Sequence, residues 1–454
     1  MSLPMYREYR DIDSLWLGGV PAHWSVKRLR FVVELNPSKS ELAKLSKDTE
    51  VSFLPMEAIG DDGSLNLEKT RALQEVETGY TYFRDGDVTV AKITPCFENG
   101  KGALMVGLLG GIGFGTTELI VARPKSGQAS AQFLNWIFQS PGFRKQGEAW
   151  MYGAGGQKRV PDDFLRNCLW CFPPFMEQEA ISAFLDRETS KIDALIAQQE
   201  KLLSLLAEKR QATISHAVTR GLNPDAPMKD SGVEWLGMVP EHWTVQSIKH
   251  LVSVPITDGP HETPNFPDEG IPFVSAEAVS GGFINFEKIR GYISSEDHQR
   301  YSAKYKPQLN DIYMVKSGAT TGVTAIVESD TEFNIWSPLA AIRCDKQKAE
   351  PYFVLAALRS RNFQEGVALN WSFGTQQNIG MGVLGDLRIA LPPLSEQREI
   401  AAFLALETPK LNVLGVEAER MIALLKERRG ALITAAVTGK IDVREHSSAL
   451  AVAA

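Results

Sequence analysis

The stretch WLGGVPAHW (residues 16–24) returns as WLGMVPEHW (residues 235–243), with seven of nine positions identical at a shift of 219 residues. The same shift holds further along. CFPPFMEQEAISAFLDRETSKID (171–193) answers to ALPPLSEQREIAAFLALETPKLN (390–412), and LLAEKRQATISHAVT (205–219) answers to LLKERRGALITAAVT (424–438), both at 219. Between these anchors the register slips: Phe53-x-x-x-Glu57 meets Phe273-x-x-x-Glu277 at 220, and DVTVAK (87–92) resembles DIYMVK (311–316) at 224. Self-similarity at one long period marks a tandem duplication, whose elements are read in pairs. Its ends are alike and its middles are not, so the ends serve a shared job while the centres are free to differ.

A chain of 454 residues is too long for one ordinary core. With 44% hydrophobic and 23% charged residues it has the composition of a globular protein. The opening MSLPMYREYRD lacks an apolar signal core, and no apolar run approaches membrane-spanning length, so a cytoplasmic protein without membrane contact is expected. Four cysteines make no disulfide framework. The net charge of −7 argues against nucleic-acid binding through a basic surface alone. By segment it is +1 over 1–160, −3 over 161–219, −5 over 220–379 and zero over 380–454. A nucleic-acid site would therefore be a local patch, or be completed by another subunit.

The shared ends encode helices. Glu177 to Leu185 predicts a short amphipathic helix with Ile181, Phe184 and Leu185 on one face. A break is expected at Thr189, and in the twin at Thr408-Pro409, because Thr caps a helix and Pro suits its first position. From there a second helix of on the order of 29 residues, roughly 43 Å, is predicted. Its seam carries Ile192, Leu195, Leu202 and Leu206 in one copy and Leu411, Leu414, Met421, Leu424 and Leu425 in the other, with polar Gln199 intervening. Two matched stripes of this period suit an antiparallel coiled coil. The middles alternate strand-like runs (VTVAKI, GALMVGLL, ELIVARP; IPFVSA, DIYMVKSG, GVTAIVES, LAAIRC) with helix signals at AQFLNWIFQS (131–140) and PYFVLAALRS (351–360). The expected class is α+β: a mixed α/β unit followed by a long helix, twice over.

The phrases WLG-x-VP-x-HW, PP-x-x-EQ-x-x-I-x-x-FL, L-x-E-K/R-R-x-x-x-I-x-x-AVT and DGPHETP (258–264), in this order, resemble the specificity subunit of a Type I restriction–modification system. The resemblance runs from about Leu15 to Val443. It implies target-recognition domains at 1–174 and 221–393, helical spacer and docking regions at 175–220 and 394–445, and a disordered tail at 446–454. It further implies that the chain reads an asymmetric, two-part site in double-stranded DNA. The helices would serve as spacer, with about 13 base pairs corresponding to a 43 Å helix at 3.4 Å per step. They would also dock two modification (methyltransferase) subunits and, through them, restriction/translocase subunits. S-adenosylmethionine, ATP and Mg would belong to those partners, and this chain would hold no cofactor and no catalytic site.

The residues point the same way. There is no G-x-x-x-x-G-K-[ST] loop for ATP, and GLLGGIGFGTT (107–117) reads as a strand-turn feature. The loops FPPF (172–175) and LPPL (391–394) resemble the [DNS]-PP-[YFW] loop of amino-methyltransferases, but Phe172 and Leu391 cannot accept a hydrogen bond from a target amine. They read as rigid strand-to-helix turns. No Asp or Glu is followed two residues later by Lys, the strand pattern of a common metal-dependent nuclease. Cys168-x-x-Cys171 has no second half, and its twin is Leu387 and Ala390, so buried thiols are expected and no metal site. His23 and His242 lack an evident carboxylate or serine pattern; they and Trp16, Trp24, Trp235 and Trp243 are expected to fix the turn that opens each copy.

Base readout wants Arg, Lys, Asn and Gln on glycine-bearing loops. The leading candidates are Gln157, Lys158 and Arg159 after Gly155-Gly156, and Thr375, Gln376, Gln377 and Asn378 after Gly374. Lys92, Thr94 and Lys101 follow in the first copy, Lys316, Ser317, Thr320 and Thr321 in the second, and His261 in the DGPHETP loop. A protein–protein scaffold without DNA specificity is the competing reading, favoured by the acidic charge and opposed by these loops.

Overall fold

The computed structural model describes residues 4–13, 16–154, 156–370, 372–373 (backbone only) and 377–444. The expected tail at 446–454 lies outside the described residues. The chain divides into two compact units, residues 1–199 with 420–454, and residues 200–419. Each unit is a mixed α/β body, and each contains the beginning of one long helix and the end of the other.

In the first unit, Thr70–Ala72, Glu50–Leu54, Ile112–Gly115 and Thr81–Arg84 form a sheet in that order. The Glu50–Leu54 and Ile112–Gly115 pair is parallel and sets Phe53 beside Phe114. A second sheet orders Val33–Leu35, Leu119–Pro124 and Val88–Ala91, all antiparallel. The second unit repeats the parallel pairing with Phe273 beside Asn334, between Ile271–Val274 and Asn334–Ile335. Its four-stranded sheet, Thr257–Asp258, Leu339–Ile342, Ile312–Val315 and Thr324–Ile326, is antiparallel. Val88–Ala91 and Ile312–Val315 are the strands written in DVTVAK and DIYMVK, wholly buried in both copies, which is why both read as unbroken apolar runs. The predicted helices are found at Ala131–Gln139 and Pro351–Arg359. GALMVGLL forms no strand, and contributes an isolated bridge between Val88 and Leu104. GLLGGIGFGTT holds a single 3-10 turn followed by a strand.

Beneath these strands both copies place one bidentate ion pair. Asp87 accepts from Arg123 Nε (2.7 Å) and Nη2 (2.8 Å), and Asp311 accepts from Arg343 Nε and Nη2 (both 2.7 Å). Both carboxylates are buried, where an ion pair persists only with its remaining lone pairs satisfied. Asp311 also takes the Tyr305 hydroxyl at 2.5 Å and the Gln308 amide at 2.8 Å.

The long helices are unbroken. They do not break at Thr189 or at Thr408-Pro409: Phe175–Arg220 is one helix of 46 residues and Leu394–Val437 one of 44. Instead of capping a new helix, Thr189 and Thr408 turn their hydroxyls back to Leu185 O and Leu404 O, both at 2.7 Å. Pro409 is carried inside the helix, and packing on the unit's core outweighs its missing donor. The 29-residue length, and the 13-base-pair spacing drawn from it, therefore do not stand.

Within the first unit, Ile181, Phe184 and Leu185 share a core with Ile433, Ala436 and Val437, and Arg429 Nε donates to Asp193 at 2.8 Å. The start of one long helix thus lies against the end of the other, an antiparallel pairing. Within the second unit Ile214, Ala217 and Val218 share a core with Ile400 and Leu404 in the same sense. Of the residues the periodicity nominated, Ile192 and Leu425 are buried and Leu206 and Leu411 half-buried. Leu195, Leu202, Leu414, Met421 and Leu424 are exposed, while Ile196, Gln199, Leu203, Gly415, Ala418 and Ile422 take the more buried positions. Each helix carries two adjacent apolar stripes, and the inward one contains the smaller or polar residues. No helix among the described residues is long and apolar enough to cross a membrane.

Candidate nucleic-acid interface

The repeated phrase is a joint. Trp24 and Trp243 are fully buried, and each indole donates to a carboxylate at the start of a long helix: Trp24 to Glu177 and Trp243 to Glu396, both 3.1 Å. His23 and His242 contact the other oxygen of the same two carboxylates, both at 2.8 Å. This corrects the expectation that the histidines lack a carboxylate. The signal was present, since the separation from His23 to Glu177 and from His242 to Glu396 is the same 154 residues. The neighbouring glutamines finish the joint. Gln178 accepts the Ser130 amide (2.8 Å) and donates to Pro173 O (3.0 Å), and Gln397 does the same for Glu350 (2.8 Å) and Pro392 O (2.9 Å).

The two joints are not equal. Glu177 also accepts the Tyr6 hydroxyl at 2.7 Å. Burial, with that carboxylate beside it, pushes the phenol well above its ordinary value and keeps it a donor. The glycines that end the long helices close the back of each joint: Gly439 (φ +70°) and Gly221 (φ +77°) leave room for only 3.2 Å between a Cβ and the rings of Trp24 and Trp243. FPPF and LPPL are the strand-to-helix turns expected, joining Leu169–Phe172 to Phe175–Arg220 and Arg388–Leu391 to Leu394–Val437. Cys168 and Cys171 are buried, which pushes both thiols up to about 12.

With its base held this way, each unit projects a turn beside a hairpin. In the first, the hairpin is Tyr152–Ala154 with Gln157–Arg159, and Thr94 N donates to Lys158 O (2.9 Å) while Val160 N donates to Lys92 O (2.8 Å). Lys92 and Thr94 are half-buried, and Gln157 and Lys158 are exposed. Arg159 is turned to Glu118, with bonds of 2.9 and 2.8 Å that hold that carboxyl below its ordinary value. Lys101 is turned inward, donating to Met56 O (3.2 Å) and Ile59 O (2.9 Å). Sequence reasoning missed the aromatics that lead into this hairpin: Trp150, the last residue of the helix Pro141–Trp150, is 56% exposed, and Tyr152, the first residue of the hairpin, 64%. Their signal was an aromatic pair immediately ahead of the glycine loop.

In the second unit, Ser372–Phe373 pairs with Gln377–Asn378, Gly318 N donates to Gln377 O (3.1 Å), and Ile379 N donates to Lys316 O (2.8 Å). Gln377 and Asn378 are exposed; Ser317, Thr320 and Thr321 are half-buried in the adjoining turn. Thr375 and Gln376 lie outside the described residues. Lys316 is held by Asp258 at 2.7 Å, as are His261 at 3.0 Å and Lys304 at 3.0 Å. Among the described residues, no group of His, Cys, Asp and Glu is placed to hold a metal ion.

Comparison with known proteins matches this scaffold. Residues 240–406 fit the family model described as the Type I restriction modification DNA specificity domain. That stretch, most of the second unit, is similar to the specificity domain of Type I restriction–modification systems. Over 193 residues the chain is 42% identical to the Type I restriction enzyme EcoAI specificity subunit of Escherichia coli, covering 42% of this chain and 32% of that one. A putative type I restriction enzyme specificity subunit (MjaX) of Methanocaldococcus jannaschii is 31% identical over 201 residues, 43% of this chain and 45% of the other. The chain thus spans about a third of the length of the E. coli relative in that match. Among solved structures, a chain from work on complex assembly and conformational transition of the type I R-M system superposes with a TM-score of 0.68 at 22% identity, covering 92% of this chain and 98% of that one. The HsdS subunit from Thermoanaerobacter tengcongensis superposes at 0.51 with 20% identity over the same shares. At these identities the likeness speaks for the fold alone.

Proposed function

We propose that this chain is the non-catalytic DNA-reading subunit of a Type I restriction–modification complex. The target-recognition domains would be residues 1–174 and 221–393, each reading one half of an asymmetric, two-part site. The observation that carries this is the paired turn and hairpin: the same scaffold position in both units, filled by Gln157 and Lys158 in one and by Gln377 and Asn378 in the other. Amide and ammonium donors on projecting loops suit base edges and phosphates. The outward leucines and methionine of the long helices (Leu195, Leu202, Leu414, Met421 and Leu424) are then the docking stripe for two modification subunits, which bring S-adenosylmethionine and, with restriction subunits, ATP and Mg. The net charge of −7 leads to weak DNA binding by the chain alone, with the partner subunits completing the clamp.

The test is adenine-methylation mapping in cells that express the chain with its cognate modification subunit, and again without the chain. One gapped, asymmetric motif that appears only with the chain supports the reading. Methylation that is unchanged while the complex still assembles would favour a protein–protein scaffold, which the exposed helical stripe and acidic charge also suit.

A further inference from the structure

Both units hold a donor at one place that no sequence motif singled out. The second helix of each pair opens on a capping serine, Ser140 and Ser360, whose hydroxyls accept from Phe143 N and Phe363 N. Arg144 and Gln364, each directly after that phenylalanine, turn back to the projecting turn. The Arg144 guanidinium is buried, lies 4.9 Å from the centroid of the Phe97 ring, and donates to Phe97 O (2.9 Å) and Gly100 O (2.8 Å). The Gln364 amide donates to Gly322 O (3.0 Å) and to Leu358 O (2.6 Å). A Cβ at Gly322 (φ +92°) would run into the Gln364 amide, so the fit is close as well as hydrogen-bonded.

What these carbonyls belong to gives the contact its meaning. Phe97 and Gly100 lie in the turn whose Thr94 is bonded to the hairpin at Lys158. Gly322 lies in the turn whose Gly318 is bonded to the hairpin at Gln377. The other end of the same helix runs straight into the hairpin: Pro141–Trp150 precedes Tyr152–Ala154, and Arg361–Asn370 precedes Ser372–Phe373. One helix therefore grips both members of the projecting pair, the hairpin through its backbone and the turn through Arg144 or Gln364. The bonds of both side chains go to backbone carbonyls.

We propose that Arg144 and Gln364 are positioning residues for base recognition. Each sets the spacing of turn and hairpin in its own unit, so that loss of its donors relaxes only the half of the DNA site which that unit reads. This rests on the DNA-reading function above. Geometric control of this kind is steep, because a bidentate contact to a base edge tolerates little displacement.

The decisive variant is Gln364→Glu, which keeps shape and volume but replaces the amide donor with an acceptor facing Gly322 O. Arg144→Met removes both guanidinium donors, and Arg144→Lys restores one. Each full-length variant is expressed with the cognate modification subunit, and the methylated motif is mapped beside the wild type. The expected result is a roughly five- to tenfold loss of base discrimination in one half of the motif, the scale of about one net hydrogen bond between helix and turn. The other half stays intact. Arg144→Met relaxes the opposite half, and Arg144→Lys recovers part of it. Uniform loss of methylation with discrimination unchanged in both halves, or no change at all, overturns the proposal. If Arg144→Met does not assemble, Gln364→Glu decides alone. A wild type that directs no gapped motif overturns the DNA-reading function itself, a result distinct from either.

Discussion

Glu177→Ala and Glu396→Ala remove the same residue from the two copies of one joint, and the structure assigns them different costs. Glu177 has 8% of its side chain exposed and accepts three donors, from Tyr6, Trp24 and His23. Tyr6 and Trp24 are themselves buried, so truncation strands two donors away from water. At about 1.5–3 kcal/mol for each bond to a charged acceptor, the loss is about 3–6 kcal/mol. Glu396 is 26% exposed and accepts from Trp243 and from an exposed His242. With one buried donor and solvent at hand, its loss is about 1.5–2.5 kcal/mol. The difference, about 2 kcal/mol, is roughly thirtyfold in a local opening equilibrium. Hydrogen exchange read by mass spectrometry over residues 16–24 and 235–243 measures both sites in each full-length variant, without assuming that the chain unfolds in one step. Glu177→Gln gives an internal control. Tyr6 and Trp24 both donate to Oε1, which the amide oxygen can replace, so it should lose less than half as much as alanine. Equal deprotection of the two sites, or a loss below about 1 kcal/mol at Glu177, would refute the reasoning.

Other outcomes follow from the same geometry. Asp311→Asn leaves Arg343, whose side chain is 20% exposed, opposite a neutral group, and thermal or urea unfolding should show about 2–3 kcal/mol of destabilisation in the second unit. Lys158→Ala should reduce the slope of log K against log[salt] for DNA binding by the assembled complex by about 0.9, whereas Lys101→Ala, whose ammonium is bonded to two carbonyls, should leave the slope unchanged. Leu414→Glu on the exposed stripe should block modification-subunit binding in pull-down while leaving the melting temperature unaltered; Leu425→Glu, in a buried position, should lower the melting temperature. Burial pushes Asp258 up, but bonds from Lys316 and Lys304 outweigh it and hold the carboxyl below its ordinary value. A depressed folded pKa contributes stability above the ordinary value of about 3.9 and loses it as pH falls through the folded one. Protection of residues 258–264 should therefore fall at acid pH, and Asp258→Asn should remove that dependence.

The duplication was legible because repeated anchors at one shift need no structural knowledge. Phe53 and Phe273 lie on equivalent strands, and the buried strands Val88–Ala91 and Ile312–Val315 stand at shift 224, as the register slips had it; the parallel pairing of the first two with strands downstream was not legible. The helix break was misread because Thr and Pro act as local signals for a new start. That preference is worth about a kilocalorie for the cap, and roughly 3 for Pro, against the packing of a whole helical face. Arg144 and Gln364 were invisible as a pair: one is charged and one neutral, and only the position of a backbone carbonyl makes them equivalent.

The sequence alone therefore determined what is written in periodicity and identity: two copies, the strand and helix types, the turns at FPPF and LPPL, and the glycine-bearing loops on which recognition would sit. Tertiary structure decided which of two apolar stripes faces inward, which lysines are exposed and which are consumed by Asp258 or by the carbonyls of Met56 and Ile59, and which carboxylate each histidine meets. The reason is physical. Local propensity and pattern act over a few residues, whereas burial and the pairing of polar groups depend on segments about 150 residues apart, such as Trp24 and Glu177.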